Sequence, residues 1–408
     1  MNFHFLPALT LDTKWSPGGS ASMQRIRSDR TEEALVNWMD ERIRGTSAFY
    51  PHVLISYYGL RDIPLQLPED GFILGDSGGF SVTRYRIEGL DPIAGIDPID
   101  VLRWQARLCR VGVIIDVPPI DLHGNQKWET GLEGTLQTVR RSVSLYEEMK
   151  RENLAPRFRW WGVVHGWTDK QRDLWWREVS QIYPFTDEGE GWAIRARPTA
   201  HDPISIAWCL RWLGMKGITH THFFAALGST SSATIIVLGP RAGLEFATVD
   251  STGMISTYAR NRGIMIPDNN GLSYTTIKES IALPIGVDRS RRTYREARDY
   301  CLEKCTCFAC KDLQEKAKDA QHPIHLGKGE KRWVLGASLY WNYYFEFHNL
   351  LVMKSVVENQ KKEAARDPDK MLREILGDKY GQVIRAFEGQ EATRTQTGTA
   401  RSLLDWID

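Results

Sequence analysis

The sequence predicts an α/β fold, a (β/α)8 TIM barrel with a C-terminal zinc-binding subdomain inserted before the last helix. Three observations predict it. Between about residues 50 and 255, short apolar runs alternate with helical stretches, which is the rhythm of a parallel β/α architecture. Several runs end in a charged or polar residue, and three cysteines crowd together further along the chain.

The predicted strands are apolar runs short enough to be buried in a sheet. They are residues 53–58, 72–74, 111–115, 161–164, 218–226 and 244–249. The stretches between them carry apolar residues at three- and four-residue spacing, as helices packed on a sheet do. The predicted helices are residues 98–108, 136–151, 170–182 and 203–213. A doubly wound sheet has the same rhythm, but no Gly-x-Gly-x-x-Gly turn or phosphate loop supports one, so we favour the barrel.

Length and composition limit the classes of function. The chain has 408 residues, of which 42% are hydrophobic, so it can bury a large core. No run approaches the eighteen apolar residues that a membrane span needs, and the N-terminus lacks the pattern of a secretion signal, so we expect a cytoplasmic protein without membrane contact. The formal charge of +1 gives no global attraction to nucleic acid, so a polyanion site would need local basic patches.

Side chains at the ends of the predicted strands are the candidates for chemistry. These ends deliver Asp76, Asp116, His165 and Asp250. Because the carboxyl ends of barrel strands meet at one face, these groups would converge on one pocket. Asp76 also opens the turn Asp-Ser-Gly-Gly, in which the two glycines would let the backbone approach a ligand closely. Ordinary turn chemistry, with Asp and Ser bonding their own backbone, is the alternative for that turn.

A cluster of thiols predicts a metal site. Three cysteines fall within six residues, namely Cys305, Cys307 and Cys310. A structural zinc ion needs a fourth ligand to complete its tetrahedron. Three histidines compete for that position, namely His348 on a predicted helix and His322 and His325 in a Pro-containing loop. Cys301, one helical turn earlier, is not expected to be a ligand.

Changes in composition divide the chain into four predicted parts. We expect a barrel domain, a zinc-binding subdomain, closing helices and a loosely held tail rich in Thr, Gln and Gly. Their predicted bounds are residues 1–298, 299–348, 349–390 and 391–408.

Several motifs, taken together and in this order, resemble the tRNA-guanine transglycosylase superfamily over roughly residues 50 to 360. They are Asp76-Ser-Gly-Gly-Phe80, the strand-end Asp116, Asp250-Ser251 followed by Tyr258-Ala-Arg260, and Cys-x-Cys-x2-Cys with a later His348-Asn349-Leu350. Residues 250–260 look more like the archaeal branch, whose tRNA enzymes carry additional C-terminal RNA-binding domains. We expect no such domains in this sequence, because the segment after residue 360 is too short for them. The combination is most similar to the DpdA group, whose members place 7-deazaguanine bases in DNA.

The resemblance implies a guanine transglycosylase that exchanges guanine in DNA for the 7-deazaguanine base preQ0 through a covalent Asp-sugar intermediate. Asp250 would be the nucleophile and Asp76 the acid/base. Breaking an N-glycosidic bond builds positive charge on the sugar, so one carboxylate and one proton donor would share the reaction. The implied partners are DNA and the free base, and the implied cofactor is structural Zn2+. The sequence leaves open whether an ATP-using protein of the same modification system is also needed.

The remaining implied site residues bind the base and the nucleic acid. The base site would comprise Ser77, Gly78, Gly79, Asp116, His165, Ala226 and Leu227. Phosphates would be bound by Arg260, Arg262, Arg289, Arg291 and Arg292. The chain departs from the family at His165, where relatives usually have Gln, at residues 225–227, which stand where bacterial enzymes have Gly-Gly-Leu, and at Ser81, which stands where their motif continues with Gln.

Two alternatives keep the resemblance but change the function. One is a transglycosylase acting on tRNA. The other is a catalytically silent paralogue that only binds a partner, and the presence of both Asp76 and Asp250 argues against it.

Overall fold

The computed structural model describes residues 1–9, 38–62, 65, 67–78, 96–119, 128–195, 202–226, 228–251, 264–276, 297–318 and 336–390. Eight parallel strands form a closed barrel in chain order, so the predicted (β/α)8 architecture is confirmed. The strands are β1 (Asn2–Leu9), β2 (Val53–Ser56), β3 (Ile73–Asp76), β4 (Val111–Val113), β5 (Arg159–Val164), β6 (Gly191–Ile194), β7 (His220–Phe223) and β8 (Phe246–Ser251). The barrel closes where β1 pairs with β8, from Asn2 opposite Phe246 to Pro7 opposite Ser251.

Two of these strands were not predicted from the sequence. The N-terminal segment is β1, although it carries Pro7 and His4 among its apolar residues. Pro7 is tolerated near the end of the strand, where it lies opposite the last residue of β8. The other missed strand is β6, which has four residues and starts with Gly191. Both missed strands are important for the architecture, because β1 closes the barrel and β6 leads directly into the candidate site.

The helices around the barrel include all four predicted ones, although the helix predicted at 136–151 begins at residue 128 and two further helices were not predicted. The helices are α1 (Tyr57–Leu60), α2 (Pro98–Leu108), α3 (Trp128–Arg151), α4 (Asp169–Ser180), α5 (Pro203–Met215) and α6 (Ser229–Arg241). Side chains cap three of them, since Asp97, Thr168 and Asp202 accept hydrogen bonds from backbone N–H groups of the first turns of α2, α4 and α5. Such caps explain why these helices begin where they do.

The side chain of Gln105 on α2 fixes the two strands that lead to Asp76 and Asp116. Its amide donates hydrogen bonds of 2.8 Å to the carbonyl of Gly75 and 2.9 Å to the carbonyl of Val113. A Cβ on Gly112 would lie 2.5 Å from the Gln105 Oε1 atom, so only glycine leaves room for this side chain. The register of β3 against β4 is therefore tied to α2.

Beyond the barrel, a small hairpin and a group of helices complete the described structure. The hairpin pairs β9 (Met265–Pro267) with β10 (Tyr274–Thr276). A helical segment at 297–303 precedes α7 (Phe308–Lys316), α8 (Gly336–Arg366), α9 (Pro368–Leu376) and α10 (Tyr380–Glu388). The cysteine cluster lies at the start of α7, which is consistent with the predicted zinc-binding subdomain. The predicted boundary at 348/349 falls inside α8.

The C-terminal helices pack on the barrel. Helix α8 contacts α6 and β9, and α10 contacts α5, so one hydrophobic core runs from the barrel into these helices. Hydrogen bonds reinforce this contact, since Met265 N–H donates to Asn349 Oδ1 at 2.7 Å. Among the helices described, none is both long enough and apolar enough to cross a membrane.

Candidate active site

Polar side chains gather at the carboxyl ends of the barrel strands. From β2 to β8, every strand has such a residue as its last or penultimate residue or within three positions after its end. They are Ser56, Asp76, Asp116, His165, Arg195, His222 and Asp250. Because all eight strands are parallel, these residues lie at the same end of the barrel, where active sites of such barrels are built.

Asp76 is the last residue of β3. Its pKa is affected by the loss of solvent and by two other carboxyl groups. Its carboxyl accepts hydrogen bonds from the Ser56 side chain and from the N–H of Gly78, the latter at 3.2 Å. Burial raises the pKa of Asp76 to about 7, and the negative charges of Asp116 and Asp250 act in the same direction. A carboxyl group with this pKa can both give and take a proton near neutral pH.

The turn after Asp76 requires a glycine at Gly78. The φ of Gly78 is +81°, and a Cβ there would lie 2.5 Å from the Cβ of Tyr58. The intervening Ser77 is fully buried. Contact of this turn with α1 therefore requires the glycine, and the approach of its backbone to a ligand stays a prediction.

Asp116 and His165 form a buried pair across β4 and β5. The distance from His165 Nε2 to Asp116 Oδ2 is 2.7 Å, and both residues are buried. A carboxylate only accepts hydrogen bonds, so Nε2 is the protonated nitrogen in this pair. The ring of His165 meets Trp175 edge to face at 4.8 Å. The structure thus brings together two side chains that the sequence predicts to contact a base.

Gly166 allows the chain to turn directly after His165. Its φ is +153°, and a Cβ there would lie 2.7 Å from the backbone nitrogen of Arg172 on α4. The start of α4 therefore packs against the residue that follows His165. This contact limits how far the His165 backbone can shift.

Asp250 on β8 is held through one of its two carboxylate oxygens. Its Oδ1 accepts a hydrogen bond of 2.7 Å from the N–H of Ala225 and lies 3.1 Å from His222 Nε2. The other ring nitrogen, His222 Nδ1, lies 2.8 Å from Thr248 Oγ1. Ala225 has a φ of +52°, a left-handed conformation that turns its N–H toward Asp250. These two contacts fix the position of the Asp250 carboxyl group.

Arg195 brings a positive charge to the same end of the barrel. It follows β6 directly, between the strands that lead to His165 and His222. Loss of solvent lowers the pKa of Arg195 to about 10, while the charges of Asp250 and Asp116 raise it. The guanidinium remains charged at neutral pH and offsets part of the repulsion among the three carboxylates.

Four of these seven groups were predicted from the sequence and three were not. Asp76, Asp116, His165 and Asp250 lie together as predicted, whereas Ser56, Arg195 and His222 were not singled out. Of the other predicted base-site residues, Ser77, Gly78 and Ala226 lie in the turns after β3 and β7. The remaining predicted residues fall outside the described part of the chain, namely Gly79, Leu227, Arg260, Arg262, Arg289, Arg291 and Arg292.

A second cluster, of three cysteines and one histidine, can hold a metal ion. Its four ligand atoms lie within 4.8 Å of one another. The Nδ1 atom of His348 is 3.4 Å from the sulfurs of Cys305 and Cys307 and 3.5 Å from that of Cys310. His348 Nε2 lies 2.8 Å from the carbonyl oxygen of Met265. A carbonyl accepts only from a protonated nitrogen, which leaves Nδ1 free to ligate.

Helix geometry explains how distant residues meet in this cluster. Cys307 caps α7, and its sulfur accepts a hydrogen bond of 3.5 Å from the N–H of Cys310. His348 comes from the middle of α8 and is fully buried. The competing histidines, His322 and His325, lie outside the described residues. Within the part of the chain that is described, this is the one grouping of three or more potential ligands close enough for a metal ion.

The barrel end therefore combines an acid that titrates near neutrality, a carboxylate fixed by two donors, and a paired carboxylate and imidazole. This set is suited to proton transfer beside a nucleophilic or charge-stabilising carboxylate. Compared with known protein families the chain matches no family model, and compared with curated proteins it shows no significant match.

Proposed function

We propose that the chain is a pentosyltransferase, a guanine transglycosylase that exchanges guanine in DNA for the 7-deazaguanine base preQ0. The observation that carries the proposal is the contrast between two carboxyl groups at one barrel end. Burial raises the pKa of Asp76 to about 7, whereas Asp250 is held by two hydrogen-bond donors on Oδ1. Base exchange needs such a contrast, because one carboxyl group must deliver a proton while the other stays charged.

The chemical roles follow from this contrast. An Asp250 oxygen attacks C1′ of the target nucleoside, and the C1′–N9 bond breaks with its electron pair going to guanine. Asp76 gives its proton to the departing base. In the second half of the reaction N9 of the incoming base attacks C1′, the bond from C1′ to Asp250 breaks, and Asp76 takes up the proton. No net oxidation occurs, and the proton returns to the group from which it came.

The Asp116–His165 pair supports the proposal as a site for the polar edge of a base. His165 Nε2 donates to Asp116, which leaves further acceptor positions on the carboxylate for N–H groups of guanine. Trp175 and Gly166 restrict the imidazole and the backbone next to it. A recognition group that is already held in place loses little entropy when the base binds.

The Cys3His cluster fits zinc in its donor set and its dimensions. A tetrahedral zinc ion with ordinary Zn–S and Zn–N bonds requires its sulfur and nitrogen ligands to be about 3.5 Å apart. The observed separations of 3.4, 3.4 and 3.5 Å agree with this requirement. Zinc bound by Cys305, Cys307, Cys310 and His348 would tie α7 to α8, a structural function remote from the chemical step.

The choice of DNA as the polymer rests on the sequence resemblance. The test is to incubate the protein with preQ0 and, separately, duplex DNA, single-stranded DNA and tRNA, then digest each polymer and identify nucleosides by mass spectrometry. We expect the 7-deazaguanine deoxynucleoside in DNA and an unmodified tRNA. Incorporation into tRNA alone would make the chain a tRNA enzyme. Activity on single-stranded but not duplex DNA would indicate that the duplex has to be opened before exchange.

A matched variant separates the enzyme from the silent paralogue. The substitution Asp250→Asn keeps the size of the side chain and can still accept the hydrogen bonds from Ala225 and His222. It should abolish exchange and leave the metal content unchanged. If D250N exchanges base at the wild-type rate, Asp250 is not the nucleophile.

A further inference from the structure

The two oxygens of Asp250 differ in their surroundings. The hydrogen bonds from His222 and from the Ala225 N–H both end on Oδ1, at 3.1 and 2.7 Å. One oxygen of the carboxylate is therefore an anchor. Among the described residues no hydrogen bond ends on the other oxygen, Oδ2, which therefore has the freer lone pairs for an attack on carbon.

His222 is built into the barrel wall so that its ring faces Asp250. It lies opposite Thr248 in the pairing of β7 with β8, and Asp250 is two residues further along β8 on the same face. Its side chain is fully buried, and Phe224 lies edge to face with the ring at 4.8 Å. Both ring nitrogens have partners, Thr248 Oγ1 at Nδ1 and Asp250 Oδ1 at Nε2. The ring therefore has little freedom to rotate.

The direction of these hydrogen bonds follows from the acceptor. A carboxylate oxygen only accepts, so Nε2 carries a proton and donates to Oδ1. The Thr248 hydroxyl can donate to or accept from Nδ1. Hydrogen bonds thus connect Thr248 to His222 and His222 to Asp250, and His222 orients the Asp250 carboxylate.

We infer that His222 is a positioning residue that, together with the Ala225 N–H, anchors Oδ1 of Asp250 and thereby assigns Oδ2 as the oxygen that attacks C1′. This inference rests on the proposed function. As the C1′–Oδ2 bond forms and the C1′–N9 bond breaks, Oδ1 becomes the carbonyl oxygen of an ester. A carbonyl oxygen also accepts hydrogen bonds, so both anchors persist through the step and the carboxyl plane does not have to rotate.

Steady-state kinetics with three variants test this role. His222→Phe keeps a planar ring but removes both nitrogens, and His222→Gln restores a donor in place of Nε2. We expect H222F to lower kcat about 100-fold with KM within about two-fold of wild type, since misplacing a reacting group by about 1 Å has an effect of this size. H222Q should recover at least about ten-fold of the loss. The control is His220→Gln on the same strand, at the opposite end of the barrel, which should exchange like wild type.

A structural readout separates failure of this inference from failure of the proposed function. In 15N spectra of the imidazole, with His222 assigned from H222Q, Nε2 should be protonated and should shift in the D250N variant. An unprotonated Nε2, or a wild-type kcat in H222F, would overturn the inference. If wild-type protein exchanges no base with any polymer, the proposed function fails, and the spectra alone then decide whether His222 anchors Asp250. Thermal denaturation of each variant shows whether a lower kcat reflects misfolding.

Discussion

Replacing Asp76 by asparagine should make the protein more stable at alkaline pH while abolishing exchange. The folded state raises the pKa of Asp76 from 3.8 to about 7, so ionising this carboxyl is harder in the folded protein than in the unfolded chain. The contribution of the neutral acid is fully present below pH 3.8 and is lost as pH rises through 7. Above pH 7 the buried charge destabilises the fold, by about 4 kcal/mol for a shift of roughly 3 pKa units.

The asparagine variant removes this charge and keeps an oxygen that accepts from Ser56 and Gly78. The increase in the free energy of unfolding over wild type should be about 3 kcal/mol larger at pH 8 than at pH 5. For a chain of this length this difference corresponds to roughly 3 °C in Tm. Thermal denaturation followed by circular dichroism at the two pH values measures it. The control is Asp62→Asn, whose side chain is 86% exposed and should give no pH-dependent gain.

A D76N variant whose stability gain were no larger at pH 8 than at pH 5 would contradict the raised pKa of Asp76. That result would mean that Asp76 ionises in the folded protein as easily as in the unfolded chain. A gain equal to that of D62N would lead to the same conclusion. D76N is thus expected to gain stability and lose activity, a trade-off that is typical of active-site residues.

Three further predictions concern pH and metal. The rate of exchange, kcat/KM measured with labelled preQ0, should fall as pH rises above about 7, because the acid form of Asp76 is lost with its pKa of about 7, and a flat profile up to pH 9 would contradict this. Cys310→Ala should lose the bound metal, measured by elemental analysis, whereas the neighbouring Cys301→Ala should retain it. At the other end of the barrel, burial lowers the pKa of His4 to about 3 and that of His52 to about 4. The free energy of unfolding should therefore fall as pH drops below 6.5, by up to about 1.4 kcal/mol per pH unit for each histidine. In thermal denaturation His52→Gln should reduce this dependence of Tm on pH, and an unchanged dependence would exclude His52 as its source.

Much of the barrel and part of its site could be predicted because hydrophobic patterning is local. Runs such as 111–115 are apolar throughout and end abruptly in an acid, a pattern that marks both a buried strand and its polar end. The same logic located Asp76 and Asp250. The cysteine spacing was equally informative, because three thiols in six residues have few uses other than metal binding.

The missed residues depend on contacts that the sequence does not display. His222 lies inside the predicted strand 218–226 and not at its predicted end, and its placement depends on Thr248 and Asp250, which come from the neighbouring strand. A buried polar side chain needs hydrogen-bond partners, and the register of the strands determines which residues these partners are. Arg195 was missed because β6 is short and starts with glycine, so no strand end was predicted there.

Capture of the covalent intermediate shows directly whether Asp250 is the nucleophile. The protein is mixed with guanine-containing DNA and limiting preQ0, quenched by denaturation, and digested so that peptides carrying a sugar-linked adduct can be mapped by mass spectrometry. The account predicts one adduct, on the peptide that contains Asp250, which forms in wild type and is absent from D250N. An adduct on another residue, or guanine release without any adduct, would contradict it.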